Sequence, residues 1–378
     1  MNYFRTMSMR RIVIASILKP VNDTRAFEKL GASLSKTNKY EVNIIGFATK
    51  KLPNYPNVRF HTDYHFNRLS WQRLFAGLKF LKRLRSLRPS YIVITTHELI
   101  IPALFYKLFH STILIYDIQE NYVQNILHTS AFPSIIRPIL ASWVSIKERV
   151  SRRFIDHFLL AERCYEKELK FTRKKATVLE NYYQPPTSGM MSTPPKVVKG
   201  EPIKLIFSGT LAEETGVFRA CDLMNNLQQI DPNVTLTIIG YCNKSEVLER
   251  LQQLANSSNH IELIGGNELV PHDQIVNHLV QAHFGIISYL PSQNTKDRTP
   301  TKLFEYLSIG LPILLTEHAP WAEICAPYQA SINIDFETYS ARNVLEQMYA
   351  EHFYPNGPSS HFLWKNIERQ LLNIIQSL

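Results

Sequence analysis

From Lys296 to Thr316 the chain reads KDRTPTKLFEYLSIGLPILLT, the stretch richest in residues that could do chemistry. Arg298, Thr299, Thr301 and Lys302 gather where a helix begins. Pro300 suits a first helical position, Thr299 can cap the end, and Leu303, Phe304 and Leu307 supply an apolar face. A helix start offers free backbone N–H groups and the positive end of the dipole, and two cations beside it suit a phosphate. Glu305 lies one turn further in and off the Leu303/Leu307 stripe, so it can stay out of the core and accept hydrogen bonds from sugar hydroxyls. Gly310 and Pro312 stop the helix, and residues 312–316 read as a buried strand. The pattern also suits an ordinary βα unit with a charged first turn.

The elements around this stretch alternate. In the first half, strands are predicted over 11–16, 40–47, 58–62, 91–96, 113–118, 157–162 and 177–181, with helices over 23–35, 69–87, 99–109, 135–153 and 164–171. The second half repeats the scheme, with strands over 204–207, 234–240, 260–264, 284–290, 312–316 and 331–335. Its helices fall over 217–230, 245–256, 271–282 and 300–309, followed by a short turn at 321–325. Such βαβ alternation predicts α/β domains with doubly wound parallel sheets, whose ligands lie outside the carboxyl ends of the strands.

Those ends carry the other candidates. In the second half they are Ser208-Gly209-Thr210, Gly240-Tyr241, Gly265-Gly266 and Tyr289-Leu290-Pro291, small or polar groups that let a ligand approach the backbone. In the first half Asp23 is an N-cap or a ligand group, and Arg25 is badly placed for a helix dipole, which hints at a ligand. His97 and Glu98 open a helix after one strand. Asp117, Gln119, Glu120 and Asn121 crowd the end of another, more polar groups than a turn needs.

Residues 300–314, PTKLFEYLSIGLPIL, resemble the donor-site motif of the GT-B glycosyltransferases of family 4. That resemblance implies that Glu305 holds the ribose of a sugar nucleotide and that the helix start cradles its diphosphate. The segment Tyr116-Asp117-Ile118-Gln119-Glu120-Asn121-Tyr122 looks like the family's Y-D-x-H-E-x-Y, with Gln119 where a histidine is usual; a glutamine hydrogen-bonds but cannot shuttle a proton. Asp23 and Arg25 stand at the family's D-x-R…S-L pattern. Ser208-Gly209-Thr210…Thr215-Gly216-Val217 occupies the place of its G-R…K-G-V, both cations being replaced by threonine, so that Arg298 and Lys302 would supply the charge. Asp297 stands at the first acid of the family's E-x7-E, one methylene short, and Gly265 resembles the loop that reads the base. By resemblance the catalytic set is Glu305, Lys302, Gln119 and Asp297. The donor site comprises Gly209, Thr210, Gly240, Gly265, Arg298, Thr299, Pro300, Thr301, Lys302, Leu303 and Glu305, and the acceptor side Asp23, Arg25, His97, Glu120 and Asn121.

A chain of 378 residues suggests two domains. They are expected at 1–183, on the acceptor side, and 203–345, which binds the nucleotide sugar, joined by a proline-rich linker over 184–202. Residues 346–378 are expected to cross back to the first domain, and the two Rossmann-like domains to face each other across a cleft. Charge divides the chain too. Residues 1–180 carry 30 Lys and Arg against 13 Asp and Glu, whereas 181–378 carry 12 against 19. A basic half argues for an anionic partner. Within it, residues 67–89 hold Arg68, Arg73, Lys79, Lys82, Arg83, Arg85 and Arg88 and no acid, with Leu74, Leu78, Leu81 and Leu84 (Trp71 and Phe75 nearby) as the apolar side. That is a helix suited to an anionic membrane surface, through Arg73, Lys79, Lys82, Arg83 and Arg85, with Arg149, Arg152 and Arg153 extending the patch; a plain solvated face is the alternative.

Four scattered cysteines favour reduced thiols over disulfides or a zinc site, and no apolar run approaches the ~20 residues of a membrane span. The start reads as a first strand rather than a signal peptide. By resemblance, then, the expectation is a metal-independent, retaining transferase without cofactor. It would move a hexosyl-type sugar from a UDP- or GDP-sugar to a saccharide or lipid-linked acceptor of envelope or exported polysaccharide synthesis. It would work in the cytoplasm, peripherally on the inner face of the membrane. A catalytically degenerate scaffold and a sugar-nucleotide 2-epimerase are the alternatives; a nucleic-acid binder lacks a recognisable module.

Overall fold

The computed structural model describes residues 9–49, 52–66, 70–128, 132–186, 194–291, 296–350 and 352–378. The chain forms two compact units, one of residues 1–181 with 364–378, the other of residues 182–363.

The first unit is built on a parallel sheet of seven strands in the order β3 (Val58–Tyr64), β2 (Tyr40–Phe47), β1 (Arg10–Pro20), β4 (Tyr91–Ile94), β5 (Ile113–Ile118), β6 (His157–Leu160) and β7 (Ala176–Val178). Ile12, Val13, Ile14 and Ala15 of β1 are all fully buried, because helices cover both faces of a parallel sheet and remove the apolar–polar alternation of a half-exposed strand. One face packs against α2 (Ala76–Leu87) and α3 (Ile100–Phe109) through Phe80, Leu84, Ile100 and Ala103. The other packs against a π-helical segment Thr24–Gly31 that runs into α1 (Ala32–Ser35). Two further helices, α4 (Tyr122–His128) and α5 (Arg137–Ser151), follow β5, and a short α6 (Tyr165–Glu168) follows β6. Helix α4 escaped the sequence reading because it lies directly behind the polar strand end. Asn121 accounts for it, since its Oδ1 accepts from Gln124 N–H (3.2 Å) in the manner of an N-cap.

The second unit has a six-stranded parallel sheet, β10 (Ile261–Gly266), β9 (Val234–Tyr241), β8 (Ile203–Thr210), β11 (Phe284–Ile287), β12 (Ile313–Thr316) and β13 (Ser331–Ile334). Its helices are α7 (Val217–Gln228), α8 (Ser245–Ser257), α9 (His272–Leu279), α10 (Thr301–Ile309), α11 (Ala319–Cys325) and α12 (Ala341–Ala350). The expected boundary at 345/346 moves to 363/364. Val344, Leu345 and Met348 of α12 complete the core under β8 and β9, so residues 346–363 stay with the second unit. Only α13 (Lys365–Ser377), with Trp364 before it, belongs to the first unit. Trp364 is fully buried there, its indole N–H donating to Ser33 Oγ (2.9 Å), and Leu371, Ile374 and Ile375 join the core beside α1. Of the expected linker, residues 187–193 lie outside the described residues, and Val197 packs on the second core.

The basic helix is turned differently from the expectation. Ala76, Phe80 and Leu84 face the sheet, whereas Trp71, Phe75 and Leu78 are exposed. Arg68 lies outside the described residues.

Candidate functional site

Strands β8, β9 and β10 end in register, with Gly209 beside Gly240 and Gly240 beside Gly265. At Gly240 (φ +154°) a Cβ would fall 1.7 Å from the Gly209 carbonyl oxygen, so no other residue fits. Three adjacent strand ends therefore present backbone without side chains, a surface a flat ligand can approach closely.

Lys302, in the first turn of α10, reaches this surface from below. Its Nζ donates to the Ser208 carbonyl (2.7 Å), lies over the Phe207 ring (4.6 Å to centroid) and flanks Tyr289 (5.2 Å). The side chain is buried, and burial pulls its pKa down from the usual lysine value to about 8, with Glu305 pulling the other way. Tyr306 OH and Ser208 Oγ share a hydrogen bond (2.8 Å) that ties α10 to the end of β8. Glu305 is buried as well, against the expectation that it would stand clear of the core, because residues 302–309 of α10 are enclosed on all sides. Its Oε1 lies 2.7 Å from Nε2 of His272, the first residue of α9. A buried lysine and a carboxylate thus hold neighbouring places on one helix, one turned to a carbonyl and the other to an imidazole.

The segment before α10 is moored to α11. Trp321 Nε1 donates to the Arg298 carbonyl (2.7 Å), and His318, stacked on Trp321 (3.9 Å), donates from Nε2 to the Lys296 carbonyl (3.0 Å). Arg298 and Thr299 are half-buried, while Asp297 and Thr301 are exposed. Helix α10 begins one residue later than expected. Pro300, in extended conformation, takes the cap position in place of Thr299, no side chain caps the helix, and Leu303 N–H turns back to the Pro300 carbonyl (2.9 Å). Leu303 is a core residue. Thr215 Oγ1 stands 2.8 Å from the Thr210 and Ala212 carbonyls and accepts from Ala212 N–H, sealing the turn that feeds α7. Its hydroxyl is thereby occupied, and Thr210 is left exposed at the end of β8.

The polar groups of the first unit are engaged with each other. Asp23 caps the π-helical segment, accepting from Arg25 and Ala26 N–H (3.1 and 3.0 Å). Arg25, expected to face a ligand, is instead buried in a double hydrogen bond to Asp117 (Nε–Oδ2 2.9 Å, Nη2–Oδ1 2.6 Å), and its Nη1 donates to the Leu179 carbonyl. Its place in the first turn is explained by this pair, which locks the segment after β1 to the end of β5. Gln119 Nε2 donates to Asp117 Oδ2 (2.9 Å), Glu120 accepts from Asn125 Nδ2 (2.9 Å), and Asn121 donates to Glu168 (2.7 Å). His97 accepts from Lys147 Nζ (2.7 Å); burial drives its pKa down to about 4, so the ring is neutral at physiological pH. Burial also raises Glu148, which accepts from Tyr116 OH (2.9 Å), to about 7.

Of the five cations expected to meet a membrane, Arg73 pairs with Glu98 and Arg83 with Asp63 (2.6 Å), so the helix is not without counter-acids; they come from other elements. Lys79, Lys82 and Arg85 are exposed. His272 and Lys147 were not legible as functional positions. Each is a lone polar residue whose partner stands 33 or 50 positions away, and only the fold brings them together. Among the described residues no three His, Cys, Asp or Glu side chains gather as a metal site.

Residues 193–346 match the family model of glycosyl transferases group 1. Solved structures similar to the chain include sucrose-phosphate synthase from Thermosynechococcus elongatus (13% identity over 97% of this chain and 98% of that one, TM-score 0.70). Others are Anabaena HepE in complex with UDP-glucose (12%, 97% and 100%, TM-score 0.64) and WaaG, a glycosyltransferase involved in lipopolysaccharide biosynthesis (11%, 97% and 94%, TM-score 0.62). No curated protein matches by sequence. Residues 193–346, which carry the bare strand ends, Lys302 and Glu305, are thus similar to the glycosyl transferases group 1 family, within a chain that has the GT-B fold.

Proposed function

We propose that the chain is a retaining, metal-independent glycosyltransferase that moves a hexosyl-type sugar from a UDP- or GDP-sugar to an acceptor hydroxyl. The acceptor is a saccharide or lipid-linked intermediate of envelope or exported polysaccharide synthesis, met at the inner face of the cytoplasmic membrane. The observation that carries the reading is Lys302, a buried cation under the bare ends of β8 and β9, one helical turn from Glu305. A lysine whose one hydrogen bond among the described residues is to a carbonyl, and which burial makes reluctant to hold its proton, gains most from an incoming anion. As the glycosidic bond breaks, its electrons pass to the diphosphate. Charge from Lys302, helped by Arg298 and the open start of α10, then counts for more in the transition state than in the ground state. Glu305, oriented by His272, accepts from the ribose hydroxyls, and the glycine ends of β9 and β10 let the base approach the backbone. HepE, which binds UDP-glucose, supports a uridine donor. Asp23, Glu120 and Asn121 remain our acceptor-side residues, with Gln119 and Asp117 fixing the strand end beside them.

The test is a thermal-shift screen against UDP, GDP, ADP, CMP and common UDP- and GDP-sugars, since a ligand at 100 times its Kd stabilises the fold by about 2.7 kcal/mol. A shift with one base that Glu305→Ala removes is the expected result; no shift with any nucleotide would overturn it. A second reading, a nucleotide-binding scaffold without transfer, is favoured by Thr215, whose hydroxyl closes a turn rather than offering a charge. Binding with neither donor hydrolysis nor transfer to any acceptor would select it.

A further inference from the structure

Helix α5 is built inside out. On a helix packed against a sheet the side away from the core is ordinarily polar. Here that side, with its flanks, carries Ile135, Ile139, Trp143, Ile146, Val150 and Phe154 at steps of three or four residues, each at least 55% exposed. Two of its charged residues turn to the buried side instead, Lys147 against His97 and Glu148 against Tyr116. Helix α3, which packs against both α2 and α5, adds exposed Phe105, Leu108 and Phe109, and the start of the basic helix adds Trp71, Phe75 and Leu78. Exposed apolar residues in such number on adjoining helices mark a binding face.

Charge says what covers it. Lys79, Lys82, Arg85, Arg149, Arg152 and Arg153 are all exposed on the same helices and their ends. Between Asp63 and Asp156 the only acids are Glu98, Asp117, Glu120 and Glu148. The first is paired with Arg73, the second with Arg25, the last is buried, and Glu120 is half-buried. A second copy of the chain laid against this face would bring two such sets of cations together with no exposed acid between them, which opposes a symmetric dimer. A bilayer rich in anionic lipid supplies both what the stripe lacks and what the cations lack.

We propose that the face formed by α2, α3 and α5 docks on an anionic lipid bilayer. The stripe of α5 enters the interfacial region, Trp143 sits at the level of the headgroups, and the six cations meet lipid phosphates. This deepens the membrane-peripheral part of the proposed function by naming its surface, and it rests on that part and not on the donor site.

Flotation of the intact protein with phosphatidylcholine vesicles containing or lacking phosphatidylglycerol tests it. Binding to the anionic vesicles, weakened by salt, is expected. Ile139→Ser/Trp143→Ser/Ile146→Ser should weaken it by roughly tenfold or more, and Arg149→Gln/Arg152→Gln/Arg153→Gln by roughly a hundredfold. These side chains face solvent, so melting temperatures should be unchanged; should the triple serine variant melt early, Trp143→Ser/Val150→Ser provides the same reading. Parent protein that stays off anionic vesicles, or a stripe variant that binds as the parent does, overturns the proposal. So does a dimer in sedimentation velocity that the stripe variant dissolves, or a soluble phosphate that competes as well as the vesicles. Glu305→Ala should float like the parent, and the stripe variant should keep its nucleotide-dependent thermal shift, so the donor reading and this one fail separately.

Discussion

The two units share one plan, a parallel sheet whose first strand lies inside and whose strand order repeats, with β7 added in the first. They spend their polar residues differently. At the carboxyl ends of β1, β4 and β5 the charged groups close on one another: Arg25 on Asp117, Lys147 on His97, Glu148 on Tyr116. At the ends of β8, β9 and β10 they do not; the strands are bare glycine, Lys302 rests on a carbonyl and Glu305 on an imidazole. Exteriors reverse the contrast. Among the described residues, exposed large apolar side chains in the second unit are few and scattered (Val198, Ile230, Leu269, Leu290), whereas in the first they run along helices. One scaffold is therefore finished inside and unfinished outside, the other the opposite, and the two proposals above fall on the unfinished surfaces.

Four measurements would break or sharpen this contrast. Asp117→Ala leaves Arg25 buried without its carboxylate and should cost the first unit about 3–5 kcal/mol. Nucleotide affinity measured below the new melting point should stay unchanged, and a parallel fall would mean the polar ends of the two units are one system. Glu305→Ala should weaken the nucleotide by about 1.5–3 kcal/mol, roughly 10- to 150-fold, if a carboxylate to ribose contact is lost; equal affinities by calorimetry would refute the role. If Lys302 meets a diphosphate as proposed, binding needs it protonated. Since burial sets its pKa near 8, below that of a free lysine, affinity should be flat under pH 8 and fall by up to tenfold per unit above it, with proton uptake on binding. For stability alone the sign is opposite: the unfolded chain binds the extra proton between about 8 and 10.5, so this group's contribution rises with pH across that window. A Lys302→Met variant with the same pH profile would discard the assignment. His272→Asn, which removes one hydrogen-bond partner from Glu305, should have the smallest effect, about 0.5–1.5 kcal/mol in nucleotide binding.

Much of the fold was legible because parallel strands buried on both faces are continuous apolar runs, as at Tyr91–Ile94. The motif around Glu305 was legible because one helix and one strand lie together in the chain. What escaped was set by distance in sequence. Arg25 carried no sign that Asp117 would take it inward, nor Glu305 that His272 would meet it. The basic helix misled for a different reason. Its leucines offered two plausible stripes, and burial of Ala76 and Phe80 rather than Leu78 depends on how closely α2 can approach the sheet, which periodicity does not encode.

The return of α13 has a consequence in time. The first unit's core beside α1 lacks Trp364, Leu371, Ile374 and Ile375 until the whole second unit has been synthesised. At 5–20 residues per second, the intervening stretch keeps that core open for roughly 10 to 40 s on the ribosome. The second unit, continuous in sequence, can fold first, so the nascent chain waits with its apolar core beside β1 uncovered and exposed to chaperones.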